Sequence, residues 1–228
     1  MNVELVGINN GRYTVFIIKD DEYIGPVIAH GYEWDGWMRE DIQKYYKEGT
    51  DIIDIGANIG YNSLMFSDYG PVYAYEPVYH TITSLNVEKN DLKNDVHVFG
   101  YALSNERKTS NIYLPSKELS TNGRLNYGGT TLTPMEGAVV SQTHCEKLDD
   151  VYSGVPSIIK IDVERHELEV LEGAMEIIKT HKPVILVEIH DITNSEVHNL
   201  LKSLGYEDPE ERPEWMYLYR AKDIFSTI

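Results

Sequence analysis

From residue 50 onward the chain alternates short apolar, β-rich runs with helical patterns, and that alternation leaves few folds open. DIIDI, PVYAYE and DVHVFGYAL are separated by a helix expected from about Gly60 and another over residues 78–90. The pattern resumes with SIIKIDV and a helical stretch over residues 166–180, whose Val170, Leu171, Ala174, Ile177 and Ile178 share one side, followed by PVILVEIH. Such alternation builds βαβ units, hence an α/β fold with a mostly parallel sheet and helices on both faces. The runs are apolar throughout, as parallel strands covered on both faces should be.

The flanking segments add detail. Residues 2–8 and 12–19 lie on either side of Asn9-Asn10-Gly11, whose Asn-Gly step supplies the positive φ of an N-terminal β-hairpin. Trp34, Trp37, Met38, Ile42 and Tyr45 recur at intervals of three and four, which predicts a helix over residues 34–46 ending near Gly49. Thr193 and Glu196 read as a capping box for a last helix carrying Val197, Leu200, Leu201 and Leu204 and closed by Gly205. A final strand is expected over residues 215–220. Residues 115–145, rich in Ser, Thr, Asn and Gly around NYGGTTLT, read as a long loop, either a surface insertion or a substrate lid, with some pairing near residues 138–140. Without repeats or a linker, residues 1–228 read as one domain: hairpin and helix at 1–49, sheet core at 50–228.

Composition removes whole classes of function. The chain has 228 residues with 20 Lys+Arg against 37 Asp+Glu, a formal charge of −17, and 42% hydrophobic residues. That is too apolar for a disordered chain, and no apolar run approaches the ~18 residues of a membrane helix. A chain so acidic repels polyanions, so no nucleic-acid partner is expected. The start has no basic segment leading into an apolar one, and the single cysteine, Cys145, cannot pair within the chain. A cytoplasmic setting with no membrane partner is the expectation.

The residues richest in chemistry are Asp54-Ile55-Gly56-Ala57-Asn58-Ile59-Gly60, at the end of the first buried strand and just before a helix. In open α/β sheets the first βα turn is where ligands bind, at the carboxyl ends of the strands. Gly56 lets backbone approach a ligand and Gly60 lets the helix pack near the strand. Asp54 offers a carboxylate, and Glu76, twenty residues past Gly56, closes the second strand where an acid can accept from ribose hydroxyls. A dinucleotide would want G-x-G-x-x-G for its pyrophosphate; the chain has G-x-x-x-G. A ribose-binding acid without a phosphate cradle suits S-adenosylmethionine, with Asp54 facing the positive end of its amino-acid tail, directly or through water.

These segments resemble the FkbM-type family of S-adenosylmethionine-dependent methyltransferases over about residues 50–190. DIGANIG is similar to the family's cofactor motif, YEP at Tyr75 to Pro77 to its ribose-binding segment, and ALSN at Ala102 to Asn105 to its third-strand motif. LDD at Leu148 to Asp150, KIDVERHELEVLEGA from Lys160 and PVILVEIH from Pro183 follow in the family order. Where the family usually reads K-I-D-V-E-G, this chain has Arg165. The resemblance implies a Rossmann-like class I methyltransferase fold, a seven-stranded sheet with an antiparallel last strand. It also implies methyl transfer to a hydroxyl oxygen of a sugar or other small metabolite, with Asp54, Gly56, Ala57, Asn58, Gly60, Glu76, Tyr101, Ala102 and Asp162 around the cofactor.

Methyl transfer from a sulfonium is an in-line displacement that depends on alignment and a dry site, and a hydroxyl acceptor needs a base. Asp162 and Glu164 alternate after one strand and Glu188 and His190 after the next, so each pair can point into one crevice. Asp162, Glu164, Glu188 and His190 are therefore the candidate catalytic residues, with His190 or His166 as base. The same set could hold a hard cation, but no metal is assigned. Trp34, Trp37 and Tyr32 form either core or a platform for a sugar ring. Two other functions stay open, a nucleic-acid or protein methyltransferase and a cofactor-binding module without turnover.

Overall fold

The computed structural model describes residues 3–120 and 123–222. Residues 1, 2, 121, 122 and 223–228 lie outside it, among them the expected start of the first strand at residue 2 and two positions of the 115–145 segment.

The hairpin forms from β1 (Leu5–Asn9) and β2 (Thr14–Ile18), paired antiparallel. Asn10 Oδ1 accepts from the N–H groups of Arg12 and Tyr13, and Gly11 carries the φ of +88° that the bend requires. Next come α1 (Ile24–Ala29), which has too short a run for its period to be read, and α2 (Met38–Tyr45). The aromatic stripe expected to be helical from residue 34 becomes helical four residues later. Asp35 sits at φ +50°, outside the helical region, so residues 34–37 form turns instead.

The core continues with β3 (Asp51–Ile55), α3 (Tyr61–Phe66), β4 (Val72–Tyr75), α4 (His80–Glu88) and β5 (Val96–Phe99). The chain then leaves the main sheet. β6 (Ala102–Leu103), β7 (Lys108–Leu114) and β8 (Val139–Glu146) make a separate three-stranded sheet in the order β6-β8-β7. DVHVFGYAL is thus two strands in two sheets. Much of the end of the expected 115–145 loop is β8, which pairs with β7 from Leu114↔Val139 to Lys108↔Cys145.

After α5 (Leu148–Val151) and β9 (Pro156–Ile161), the single helix expected over residues 166–180 is two, α6 (Glu167–Glu172) and α7 (Met175–His181). The break falls at Gly173, where a Cβ would collide with the Ser104 carbonyl. β10 (Val184–Glu188), α8 (Glu196–Ser203), β11 (Glu210–Glu211) and β12 (Met216–Tyr219) complete the chain. Ser195, not Thr193, caps α8: its Oγ accepts from the His198 N–H, while Thr193 lies in a short turn held by Asp191.

The main sheet has seven strands in the order β11-β12-β10-β9-β3-β4-β5. The run from β10 to β5 is parallel and β12 is antiparallel to β10, as the resemblance implied. Alternate residues of the central strands feed opposite layers. Ile53, Ile55, Ile159, Ile161, Ile185 and Val187 pack with Leu148, Val170, Leu171, Ile178 and Leu201 of the later helices. Ile52, Ile158 and Leu186 face Met38 and Ile42 of α2 and Met65 and Phe66 of α3. The hairpin is tied on by buried Asn86 of α4, whose Oδ1 accepts from the Phe16 N–H and whose Nδ2 donates to the carbonyls of Phe16 and Ile59. Among the described residues no helix is long and apolar enough to cross a membrane.

Candidate active site

The strand order reverses between β3 and β9, and the tips of β4, β3, β9 and β10 open into one cavity of about 500 Å³. Beneath it, two charged residues face each other across the sheet, for Asp54 is in register with Lys160. Lys160 is 2% exposed; its Nζ donates to the Gly56 carbonyl at 3.0 Å and lies 3.3 Å from Asp162 Oδ2 and 3.5 Å from Asp54 Oδ1. Burial works most strongly against its charge, yet Asp162, Asp54 and Asp35 together raise the ammonium pKa above its ordinary value.

Asp54 is fully buried, accepts from Ser63 Oγ, and does not line the cavity. Asp54 therefore makes no direct contact with the cavity, and the cation beside it is Lys160, inside the sheet. Gly60 and Tyr101 are likewise absent from the cavity wall. Gly60, at φ +84°, precedes α3, where a Cβ would come within 2.5 Å of Thr83 Cγ2, and Tyr101 rests its ring against Tyr75 and Phe99. Gly56, Ala57, Asn58, Glu76, Ala102 and Asp162 do line it. At Gly56, φ +79°, any side chain would run into the Asp162 carbonyl, so the turn packs directly on the end of β9.

Glu76, 5% exposed, organises the β4 end of the cavity. Its Oε2 accepts from the Asn58 N–H, and its Oε1 from the N–H groups of Val78 and Tyr79. Burial raises its pKa and those three amides pull it back. A carboxylate has about four acceptor positions, so one remains free after the three amides.

Asp162, Glu164, Glu188 and His190 all line the same cavity. Glu188 is pushed up to about 9, first by burial and then by Asp162, Glu164 and Glu167; Glu164 is pushed up to about 7 by burial and Asp162. His190 is shifted down by burial and by Arg165. Donor atoms of Glu164, Glu188 and His190 lie within 4.8 Å of one another, near enough to share one acceptor hydroxyl or a hard cation. His166 also lines the cavity, but its Nε2 is 3.0 Å from Ser104 Oγ and its Nδ1 3.5 Å from Glu169, which leaves it poorly placed as a base.

Other wall residues were not singled out in the sequence: Lys160, Asp35, Asn62, Glu214 and Trp215. A signal existed for Lys160, a lysine within a strand read as buried on both faces, which must be paired. Of the expected aromatic platform only Trp34 lines the cavity; Trp37 packs against the α2–sheet core and Tyr32 is 69% exposed. Two exposed rings lie at the wall, Tyr23 and Trp215, the latter edge-on to His190 at 5.4 Å. The 115–145 segment contributes a wall: Thr130 meets the Tyr79 hydroxyl, Thr131 Oγ1 donates to the Glu164 carbonyl and Thr133 Oγ1 to that of Arg165.

Residues 54–207 match the methyltransferase FkbM domain. The chain belongs to that family. It is similar to the hexuronic acid methyltransferase AglP of Haloferax volcanii, 30% identical over 146 residues that cover 63% of this chain and 57% of that protein. It is also similar to methyltransferase sdnD of Sordaria araneosa, 28% identical over 78% of this chain and 79% of that one. The crystal structure of methyltransferase FkbM from Methylobacillus flagellatus superimposes with a TM-score of 0.53 at 18% identity, over 77% of this chain and 44% of that one. The chain thus spans little more than half of the AglP relative and under half of the solved one.

In this FkbM domain the departure at Arg165 has a conformational meaning. Glu164 and Arg165 occupy φ +56° and +73°, the left-handed region that glycine enters freely and other residues at about 1–2 kcal/mol each. The turn is clamped from both sides, for Glu167 Oε1 accepts from the N–H groups of Val163 and Arg165 while the threonines hold the carbonyls. Arg165 is exposed and outside the cavity wall. Arg165→Gly should relieve strain at a smaller entropic cost of ~0.5–1 kcal/mol, raising the thermal midpoint by about 1–4 °C in a melting experiment.

A second expectation concerns Glu188. Its folded pKa of about 9 exceeds the ordinary 4.5, so between those values the folded protein keeps a proton that the unfolded chain has released. Its contribution to stability is therefore present below pH 4.5 and lost as pH rises toward 9, at about 1.4 kcal/mol per pH unit at most. Glu188→Gln should flatten the fall in denaturant stability across that window, and parallel pH curves for the two proteins would show that the site carries no such proton.

Proposed function

We propose that the protein transfers a methyl group from S-adenosylmethionine to a hydroxyl oxygen of a sugar or other small acceptor, in a cytoplasmic setting. The observation that carries this reading is that one cavity joins a nucleoside-binding end, at Glu76 and Gly56, to a cluster of acids and one imidazole at the ends of β9 and β10. The residues fit the cofactor: Glu76 keeps an acceptor position for a ribose hydroxyl, and the turn offers bare backbone without a phosphate-binding glycine pattern. Tyr75 Oη, buried on the same wall without a hydrogen-bond partner among the described residues, leaves a donor for the nucleoside.

S-adenosylmethionine supplies an electrophilic methyl on a sulfonium. The chain's own task is to hold the acceptor in line, exclude water and take its proton. Glu164, poised at about 7, and His190, shifted toward its neutral form, are the groups able to accept that proton. Glu188, protonated at neutral pH, donates a hydrogen bond that orients the acceptor oxygen. Arg165 stands outside the wall and plugs nothing, which favours an active enzyme over a module without turnover. The charge of −17 favours a small acceptor over nucleic acid.

Calorimetric titration should show S-adenosylhomocysteine binding and no binding of NAD. Glu76→Gln should weaken that binding by ~1–3 kcal/mol, because the amide places an N–H where loop amides and ribose need an acceptor. In an acceptor screen read by S-adenosylhomocysteine release, Glu164→Gln should lower kcat by ~10²- to 10⁴-fold with cofactor affinity unchanged. Preferential binding of NAD would overturn the reading.

A further inference from the structure

We propose that Asp35 and Asn62 form the subsite for the ammonium group of the cofactor's amino-acid tail, so that chain ahead of residue 54 completes the site of the 54–207 domain. This rests on the reading of the cavity as an S-adenosylmethionine site.

Asp35 belongs to no part of the strand–turn–helix motif, yet it lines the cavity and accepts a hydrogen bond from Asn62 Nδ2 at 3.0 Å. It holds this place from φ +50°, a backbone state that aspartate tolerates better than most residues. Asn62 is 6% exposed and lines the same cavity. With its Nδ2 committed to Asp35, its Oδ1 is left buried and without a hydrogen-bond partner among the described residues. A buried carbonyl oxygen accepts and never donates, and leaving it unpaired costs free energy, so the site calls for a hydrogen-bond donor.

Charge points the same way. Burial raises the pKa values of both Asp35 and Glu214, Asp162 adds to the shift at each, and the Asp35 carboxyl, which faces Glu214, adds to it there. Lys160 partly offsets this at Asp35, but its Nζ is already committed to the Gly56 carbonyl, Asp162 and Asp54. An ammonium carries three donors and one positive charge, which matches Asp35, Asn62 Oδ1 and the nearby Asp162 carboxylate.

Placement fits the tail in particular. Sheet order sets Glu76 on the β4 side of the Gly56 turn and Asp162 on the β9 side. The two strand tips are about 10 Å apart at the usual strand spacing, a distance a ribose and its attached tail can bridge. With the ribose at Glu76, the tail crosses the bare backbone of Gly56 and ends against Asp162 and the first turn of α3, where Asn62 and Asp35 meet.

The test compares two ligands by calorimetry on the full chain: S-adenosylhomocysteine, and 5′-methylthioadenosine, which keeps the nucleoside and thioether but lacks the amino-acid tail. Asp35→Asn and Asn62→Ala should each weaken S-adenosylhomocysteine, by tenfold or more for Asp35→Asn, while 5′-methylthioadenosine stays within twofold of wild type. The unchanged second ligand certifies that the variants are folded. Equal weakening of both ligands in both variants, or of neither, overturns the subsite. If the wild-type chain binds neither ligand, it is the cofactor reading itself that fails.

Discussion

A lysine and an aspartate buried side by side in the middle of the sheet set the terms for everything at its edge. Taking either charge out of water alone is costly, and only paired burial is tolerable. Lys160 and Asp54 meet because β3 and β9 are neighbours in a parallel register, at the point where strand order reverses. The ammonium then reaches up to the Gly56 carbonyl and to Asp162, so the charge that holds the two strands together also fixes the turn above them. Gly56, with no side chain, lets that turn lie directly on the β9 terminus. The floor of the cavity at the Gly56 turn is thus built on an ion cluster rather than on apolar packing.

Beyond that cluster the cavity is unbalanced in charge. Asp35, Asp162, Glu164, Glu188 and Glu214 line it with Lys160, and the lysine is already committed below. Burial and mutual repulsion spread the carboxyl pKa values, so that Glu188 stays protonated at neutral pH while Glu164 sits near its midpoint. Two chemically identical groups acquire different pKa values because Glu188 is buried among the charges of Asp162, Glu164 and Glu167.

Backbone strain collects in the same place. Of the seven described non-glycine residues at positive φ, five, Asp35, Asn58, Glu164, Glu214 and Trp215, line the cavity, and Arg165 adjoins it. Such conformations persist only where surrounding contacts over-determine them. For Glu164 and Arg165 those contacts are visible: the Glu167 carboxylate on the amides of Val163 and Arg165, and Thr131 and Thr133 on the carbonyls of Glu164 and Arg165. The stretch around NYGGTTLT is therefore part of the cavity wall and a brace for it.

What the amino-acid sequence determined is what short-range physics controls. Strand and helix alternation, the hairpin at Asn10-Gly11, the Gly56 turn and the arrival of Glu76, Asp162, Glu164, Glu188 and His190 at strand ends all follow from period and spacing, because each is settled within a few residues of chain. Tertiary structure alone decided which way those groups are spent. Asp54 turned into the sheet because a lysine 106 positions later stood opposite it. Helix 166–180 broke because the Ser104 carbonyl packs against Gly173, and the helix expected at Trp34 gave way to a left-handed Asp35 that reaches the cavity. Asn62, Glu214, Trp215 and Thr131 come from segments with no local signal in common. Their meeting depends on strand order and on the balance of buried charge, which only the assembled sheet brings within hydrogen-bonding range.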